Sequence, residues 1–451
     1  MKILLVEPDF PFPNKSKHSA DHIHKNFVPI GLLKLGAMHK AQGDKVKLVR
    51  GKKSKSEIGF VPDKILVTSL FTYWSQEVWD TISHYRELFP EAKITMGGIY
   101  ATLHADTEKF SKLAKKHKVK VSKGVNCEAE KHLPDYSLVP GVEYHATHMM
   151  RGCIRRCSFC GTWKIEPNLV HKNKDEVIKE LNTVGKNKVV FYDNNLLANP
   201  HITDILTAFQ TLRINGKPVI FESQSGFDGR LLQAKPELAE LIKKARFQNV
   251  RIAWDNSLKD KDSIKKQIDL LAKAGYTPKD ISIFMIYNFD IPYEDMLKKV
   301  SWCEKWGVQI TDCRNRPLHL DYDGYNPHLK NGQPEGSYHI HTKASWTDTK
   351  VRAFRSKVRK HNIEIRYAKD KGLKYDHKME KWSAIHNTFK FFNLGRPPKM
   401  EVIEKSTAIQ KRIELLNRLK NQHKQKETSP EDLKNFSKKE FDGFLKKKFN
   451  D

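Results

Sequence analysis

Over the first 140 positions, short solid apolar runs alternate with longer stretches in which apolar residues recur every three or four positions. "KILLV" (2–6), "KVKLV" (45–49), "KILVTSL" (64–70), "KITM" (93–96) and "VKVS" (119–122) read as short buried strands. Between them, "PIGLLKLGAMHKAQG" opens with Pro29 and stops at Gly43, which predicts a helix. "SQEVWDTISHYRELFP" predicts another, ended by Pro90. This alternation predicts an α/β domain over residues 1–140, a doubly wound, Rossmann-like parallel sheet. Gly97 and Gly98 in "MGGIYATLHAD" follow the fourth strand, where open α/β sheets bind ligands. A tight turn explains the pair equally well.

Pro134 and Pro140 mark a connector, after which a second alternating series runs over 141–325. "YHATHMM", "KVVFYDNNLLANP", "PVIFESQSGFDGR", "VRIAWDNS", "ISIFMIYNFD" and "VQITDCRNRPL" predict strands, with helices such as "DEVIKELNTVG" and "SIKKQIDLLAKAGY" between them. Each strand from the second onward ends in polar side chains: Asp193 and Asn194, Glu222 and Gln224, Arg251 and Asp255, Tyr287 and Asn288, Asp312 and Arg314. In barrels of parallel strands the reaction site is assembled from such tips. For any one of these residues, helix capping or solvation is the plainer account.

From 326 to 451 the alternation fades into long basic helical patterns. Residues 330–451 hold 30 Lys and Arg against 15 Asp and Glu, about half of the formal net charge of +28. Such charge attracts acidic partners, nucleic acid among them, or simply solvates a lysine-rich surface. Trp346, Phe354, Tyr367, Trp382, Phe389, Phe391 and Phe392 interleave with it. Aromatics of this kind stack on bases or form the inner face of packed helices. "MKILLVEPDF" lacks the features of a signal peptide and no apolar run is long enough to span a bilayer, so a cytoplasmic location without membrane contact is expected.

Half of the six cysteines lie in "MMRGCIRRCSFCGTW": Cys153, Cys157 and Cys160. Three thiols at this spacing can hold a metal, pair with one left over, or be buried. In a reducing compartment, metal or redox chemistry is favoured over a structural disulfide. Zinc would need a fourth ligand, such as Cys127, His145 or His148, giving a nucleic-acid-binding module without catalysis. A [4Fe–4S] cluster takes one thiolate per iron, leaving one iron open. Cys303 reads as a small buried hydrophobe.

"CIRRCSFC" is CxxxCxxC with an aromatic before the third cysteine, and it resembles the signature of the radical S-adenosylmethionine (SAM) superfamily. The resemblance implies a partial (β/α)6 barrel and a cluster held by Cys153, Cys157 and Cys160. It also implies SAM on the open iron, and an electron donor that drives SAM cleavage to methionine and a 5′-deoxyadenosyl radical. Phe159 matches the aromatic near the adenine. By position, Asp193, Asn194, Glu222, Ser223, Gln224 and Arg230 are expected around SAM, although the glycine-rich turn common in the family reads "FYDNN" here. Cys313 and Tyr287 are the candidate catalytic residues, and Arg314 and Arg316 could hold an anionic substrate group.

"MKILLVEPDFP", "NFVPIGLLKLGAMHKAQG" and "MGGIYATLHAD" are similar to N-terminal segments of the superfamily's cobalamin-binding group. That similarity makes cobalamin a candidate cofactor beside Gly97 and Gly98. The DxHxxG motif of other cobalamin proteins is absent; the histidines of "HSADHIHKN" (18–26) do not reproduce it. With cobalamin, methyl transfer is implied. Without it, hydrogen abstraction from a bound substrate remains, and nucleic acid is one substrate the charge suggests.

Overall fold

The computed structural model describes residues 1–11, 27–326, 329, 332–370 and parts of 385–426. "HSADHIHKN" and residues 427–451 lie outside these. The chain divides into two compact units, Met1–Val358 and Arg359–Asp451. Among the described residues no helix is long and apolar enough to cross a membrane.

The first unit is mixed α/β, with parallel sheets. Its first sheet contains β1 (Lys2–Glu7), β2 (Lys45–Arg50), β3 (Lys64–Ser69), β4 (Lys93–Gly98) and β5 (Val119–Val121). Their order is β2-β1-β3-β4-β5 and every pairing is parallel. The helix α1 (Ile30–Ala41) starts after Pro29, and the chain leaves it through Gly43 at φ +79°, as the sequence pattern predicts. The two faces of this sheet differ. Leu4, Val6, Ile65, Val67, Ile94 and Met96 are buried in a cluster with helical residues such as Val78, Ile82 and Phe110. The opposite face carries Ile3, Leu5 and Leu66, packed against Leu32 and Leu35 of α1.

The second series starts with β6 (His145–Thr147) and a short antiparallel hairpin of β7 (Met150–Arg151) and β8 (Val170–His171). It continues with β9 (Lys188–Phe191), a second small hairpin of β10 (Arg213–Ile214) and β11 (Lys217–Pro218), then β12 (Ile220–Ser223) and β13 (Phe247–Gln248). The last strands are β14 (Val250–Ala253), β15 (Ile281–Tyr287) and β16 (Gln309–Arg314). One parallel sheet runs β13-β12-β9-β6 and another β14-β15-β16. A parallel bridge from Phe227 to Ile252 connects them, so β6, β9, β12, β14, β15 and β16 follow each other in chain order.

Period-two burial decides which side chains face the helices. Val189, Phe191, Phe221, Val250, Ile252, Ile283, Met285 and Tyr287 enter one large core with the helices. Phe209 stacks on Phe221 at 4.1 Å between ring centroids, and Phe247 on Phe221 at 5.3 Å. Each such pair is worth about 0.5–1.5 kcal/mol beyond its burial. Alternate positions face the other way: Ala146 and Val190 join a cluster with Val28 and Leu33, so the first domain's residues pack on that inner face.

Trp346 and Phe354 are almost fully buried in the large core of the first unit, which is the packing account of the C-terminal aromatics. In the second unit Ile385, Phe389, Phe392, Ile403, Ile413 and Leu416 form a separate cluster that includes the helix Thr407–Lys426. Trp382 lies outside the described residues, as does the side chain of Tyr367.

Candidate active site

Gly152 opens the cysteine loop at φ +81°, and a Cβ there would lie 2.6 Å from the Asn168 carbonyl oxygen, so only glycine fits. Cys153, Cys157 and Cys160 follow as half-buried free thiols. Backbone amides are aimed at the sulfurs: Arg155 N–H donates to Cys153 Sγ at 3.3 Å and Thr162 N–H to Cys160 Sγ at 3.5 Å. Burial, and next the neighbouring Cys160, push the Cys157 thiol up, while the Arg230 guanidinium pulls it down. The three thiols and Arg230 therefore share one small electrostatic neighbourhood.

The neck of the loop is clamped from both sides. The Glu166 carboxylate accepts from Arg151 Nη1 at 2.8 Å, from Gly152 N–H at 2.8 Å and from Asn194 Nδ2 at 3.0 Å. Arg151 also pairs with Glu130 at 2.7 Å, and Glu130 with Lys34 of α1 at 2.9 Å. This chain of ion pairs ties the first sheet's helix to the residue next to Gly152. Beneath the loop, Asp193 is fully buried and accepts from Met149 N–H at 3.0 Å and Met150 N–H at 2.6 Å. Desolvation pushes its carboxyl up to about 7 against the pull of those amides.

Facing the loop are the carboxyl ends of the later strands. Asp228 accepts from Arg155 Nε at 2.9 Å, Arg230 Nε at 3.0 Å and Asn195 Nδ2 at 3.2 Å, and it caps the helix Gly229–Ala234. It joins the cysteine loop to the turn after β12. Sequence reasoning passed over Asp228, although an aspartate just before "GRLL" is a recognisable helix start. Asp255, whose carboxyl is pushed up by burial, accepts from Ile286 N–H at 3.3 Å and faces Lys299 and Arg230. Lys299 is fully buried and donates to the Trp254 and Asn256 carbonyl oxygens at 2.7 and 2.6 Å. Phe159 meets Phe289 edge-on at 5.7 Å.

Cys313 pairs with Ile286 in the β15–β16 register and lies on the face opposite the core residue Ile310. The residue is exposed. Partial desolvation of the thiol, then Asp255 and Asp312, raise it above its ordinary range, so at neutral pH it is a protonated S–H. Arg314 and Arg316 both pair with Asp323, and Arg314 lies between the Tyr325 and Tyr338 rings at 4.6 and 5.0 Å.

Residues 147–302 match the family model of the radical SAM superfamily. This stretch is a radical SAM domain. No curated protein matches the chain. Among solved structures, SuiB from Streptococcus suis bound to S-adenosylmethionine is similar at 15% identity and a TM-score of 0.29, over 40% of this chain and 41% of that one. Two structures of the carboxyl transferase domain of Rhizobium etli pyruvate carboxylase, with 3-hydroxypyruvate and with pyruvate, are similar at 10% identity. Their TM-scores are 0.19 and 0.20, over 93% of this chain and 61% of each of those. The chain thus spans less than two thirds of these relatives.

Within the radical SAM domain the thiols suit the cluster the family implies, because each already receives or neighbours a donor and each iron takes a single thiolate. Among the described residues no three Cys, His, Asp or Glu side chains converge on a site for one metal ion. The other residues expected around SAM or in catalysis are engaged as follows. Asp193 spends its carboxylate on the Met149 and Met150 amides and holds the loop from below. Glu222 is fully buried and pairs with Arg251 at 2.6 Å, while the Ser223 hydroxyl donates to the Gly226 carbonyl at 2.9 Å. Tyr287 points to the helix side, buried against Phe354 at 4.9 Å, because it shares a face with Met285 and Ile283. Gln224 keeps a buried Oε1 without a partner among the described residues. Phe159, Asn194, Arg230 and Cys313 remain the residues of the expected set whose placement presents them around the cysteine loop and the inner face.

Proposed function

We propose that this protein is a radical SAM enzyme whose cluster is held by Cys153, Cys157 and Cys160. The observation that carries the reading is the loop itself: three free, half-buried thiols, two of them with a backbone amide aimed at sulfur, inside the matched domain. The chain-order parallel strands from β6 to β16 support a partial (β/α)6 barrel around it. When bound, the cluster and SAM supply one electron and a carbon-centred radical that removes a hydrogen atom from substrate.

The chain's own residues then bind and orient. Arg155 and Arg230, fixed by their shared Asp228, offset negative charge beside the thiols. Phe159, braced by Phe289, offers an apolar edge for the adenine. Asn194, held by Glu166 and Thr162, lines the loop's other side. Cys313, protonated and on the inner face, is positioned as a hydrogen-atom donor to a product radical. One electron and one proton from the reducing partner would restore its thiol.

A narrower form adds cobalamin on the first sheet and methyl transfer as the outcome. Its support is the N-terminal sequence resemblance and the glycine pair at the carboxyl end of β4. The test of the main reading is production of 5′-deoxyadenosine after anaerobic reconstitution, with SAM and dithionite. Wild type is expected to form it, and a variant with all three cysteines changed to alanine is expected to form none. A cluster-loaded wild type that leaves SAM intact would overturn the reading.

A further inference from the structure

Past β16 the chain returns to the first sheet and is tied down there. Ser75 Oγ donates to the Asp321 carbonyl oxygen at 2.6 Å, His104 Nε2–H donates to the Leu318 carbonyl oxygen at 2.7 Å, and Trp74 forms an antiparallel bridge with Tyr322. These contacts bring Tyr73, in the loop after β3, onto Arg316. The guanidinium carbon lies 4.2 Å from the centre of the Tyr73 ring, and Phe71 stacks on Tyr73 at 5.1 Å. Arg316 Nε donates to Asp323 Oδ2 at 2.7 Å. One face and one edge of this guanidinium are therefore held by protein.

The other edge is open. Among the described residues the two Nη groups of Arg316 make no hydrogen bond, and its side chain is 33% exposed. Charge is unbalanced there as well. Arg314 and Arg316 share the single carboxylate of Asp323, whose second oxygen accepts from the Tyr325 N–H at 3.0 Å. Arg314 is 8% exposed, and its Nη1 is buried without a partner among the described residues. An excess cation in such a place costs free energy until an anion answers it. Arg316 also acts on Cys313, pulling its thiol down against the push of Asp255 and Asp312, so the open edge lies near the thiol of the inner face.

We propose that Arg316 is the receptor for an oxyanion of the substrate, a carboxylate or a phosphate, and so selects which molecules present a carbon to Cys313. Its free edge offers two parallel N–H donors, the geometry of a bidentate pair. Stacking and the Asp323 anchor hold the side chain in one pose, so little ordering cost is left for binding. Arg314, buried behind it, adds charge without touching the ligand. Tyr73 is a positioning residue that keeps the guanidinium plane in place, which gives the first sheet's domain a part in substrate choice. The assignment rests on the reading of the inner face as the reaction site.

Labelling of Cys313 in the full-length protein tests it without SAM or an electron donor. Iodoacetate and iodoacetamide both form a C–S bond, release iodide and leave the thiol proton to solvent, but only iodoacetate carries a carboxylate. Peptide-resolved mass spectrometry reads the ratio of the two rates at Cys313 against the exposed Cys127 of the same chain. Asp255 and Asp312 beside Cys313 repel an anionic reagent, so a high ratio there requires a cation that recruits it. The ratio at Cys313 is expected to exceed that at Cys127 by about tenfold, the scale of a hydrogen bond to a charged group. Arg316→Gln is expected to abolish the excess with the iodoacetamide rate unchanged, Tyr73→Leu to reduce it and Tyr73→Phe to keep it. Inorganic phosphate and acetate are expected to protect Cys313 from iodoacetate, and the stronger competitor identifies the oxyanion. Equal ratios at the two cysteines, an excess that survives Arg316→Gln, or protection by neither competitor overturns the proposal. An excess untouched by Tyr73→Leu overturns the role given to Tyr73. None of these outcomes bears on the 5′-deoxyadenosine test, so the cluster reading stands or falls separately.

Discussion

The two parallel sheets of the first unit use the same alternation of strand and helix but treat their second faces differently. The first sheet buries one face fully and leaves part of the other open, with Lys64, Thr68, Thr95 and Lys120 on it. The second series buries both faces along β6, β9 and β12 and puts a charge pair inside, Glu222 against Arg251. What covers a face, rather than the strand pattern, decides whether it becomes an open polar surface or a core. In the second series the polar groups free to meet a ligand are displaced to the strand tips and the cysteine loop.

The largest expected effect comes from breaking the inner charge pair. Arg251→Met removes the guanidinium from a fully buried carboxylate, and should cost about 3–5 kcal/mol. Lys120→Met on the open face should stay within about 0.5 kcal/mol. Urea unfolding of the two variants measures both, and equal losses would erase the contrast between the faces.

A smaller effect distinguishes the two glycines at the edge of the first sheet. Gly98 has φ +103°, and a Cβ would lie 2.2 Å from the Ser69 carbonyl oxygen, so Gly98→Ala should cost about 1–3 kcal/mol. At Gly97 the nearest atom to an added Cβ is 3.6 Å away, an ordinary contact. Gly97→Ala should therefore move the thermal midpoint much less, and comparable shifts would mean that the strand end rearranges.

A pH-dependent effect sharpens the role of Asp193. Its folded carboxyl is raised from 3.8 to about 7, so the folded state holds its proton more tightly than the unfolded chain. The stability it contributes is full at pH 4 and lost as pH rises towards 7. Asp193→Asn cannot titrate. The stability of wild type relative to this variant should fall between pH 4 and 7, followed by denaturant titration at several pH values. A flat difference would mean that Asp193 is ionised throughout.

Much of this architecture was legible in sequence because it is local. The strand runs at 2–6, 45–49, 64–70 and 93–96 correspond to β1 to β4 within two residues, since a buried parallel strand must be a short apolar run. The helix from Ile30 was marked by Pro29 and Gly43, whose backbone preferences act where they stand. The cysteine spacing likewise fixed three thiols on one loop without reference to any other part of the chain.

Tertiary structure decided the rest, because a side chain's partners come from distant positions. Tyr287 and Cys313 both end parallel strands, yet alternation turns one to the helices and leaves the other on the inner face. Asp193 looked available until the Met149 and Met150 amides, 44 and 43 residues away, were brought onto it. Asp228 gained its importance only when folding delivered Arg155 from 73 residues away. The open face of the first sheet was equally invisible in sequence: Lys64, Thr95 and Lys120 share a surface only because three strands lie side by side. Sequence set which groups exist and the local shape that carries them; packing determined which ones were consumed by neighbours and which were left for a ligand.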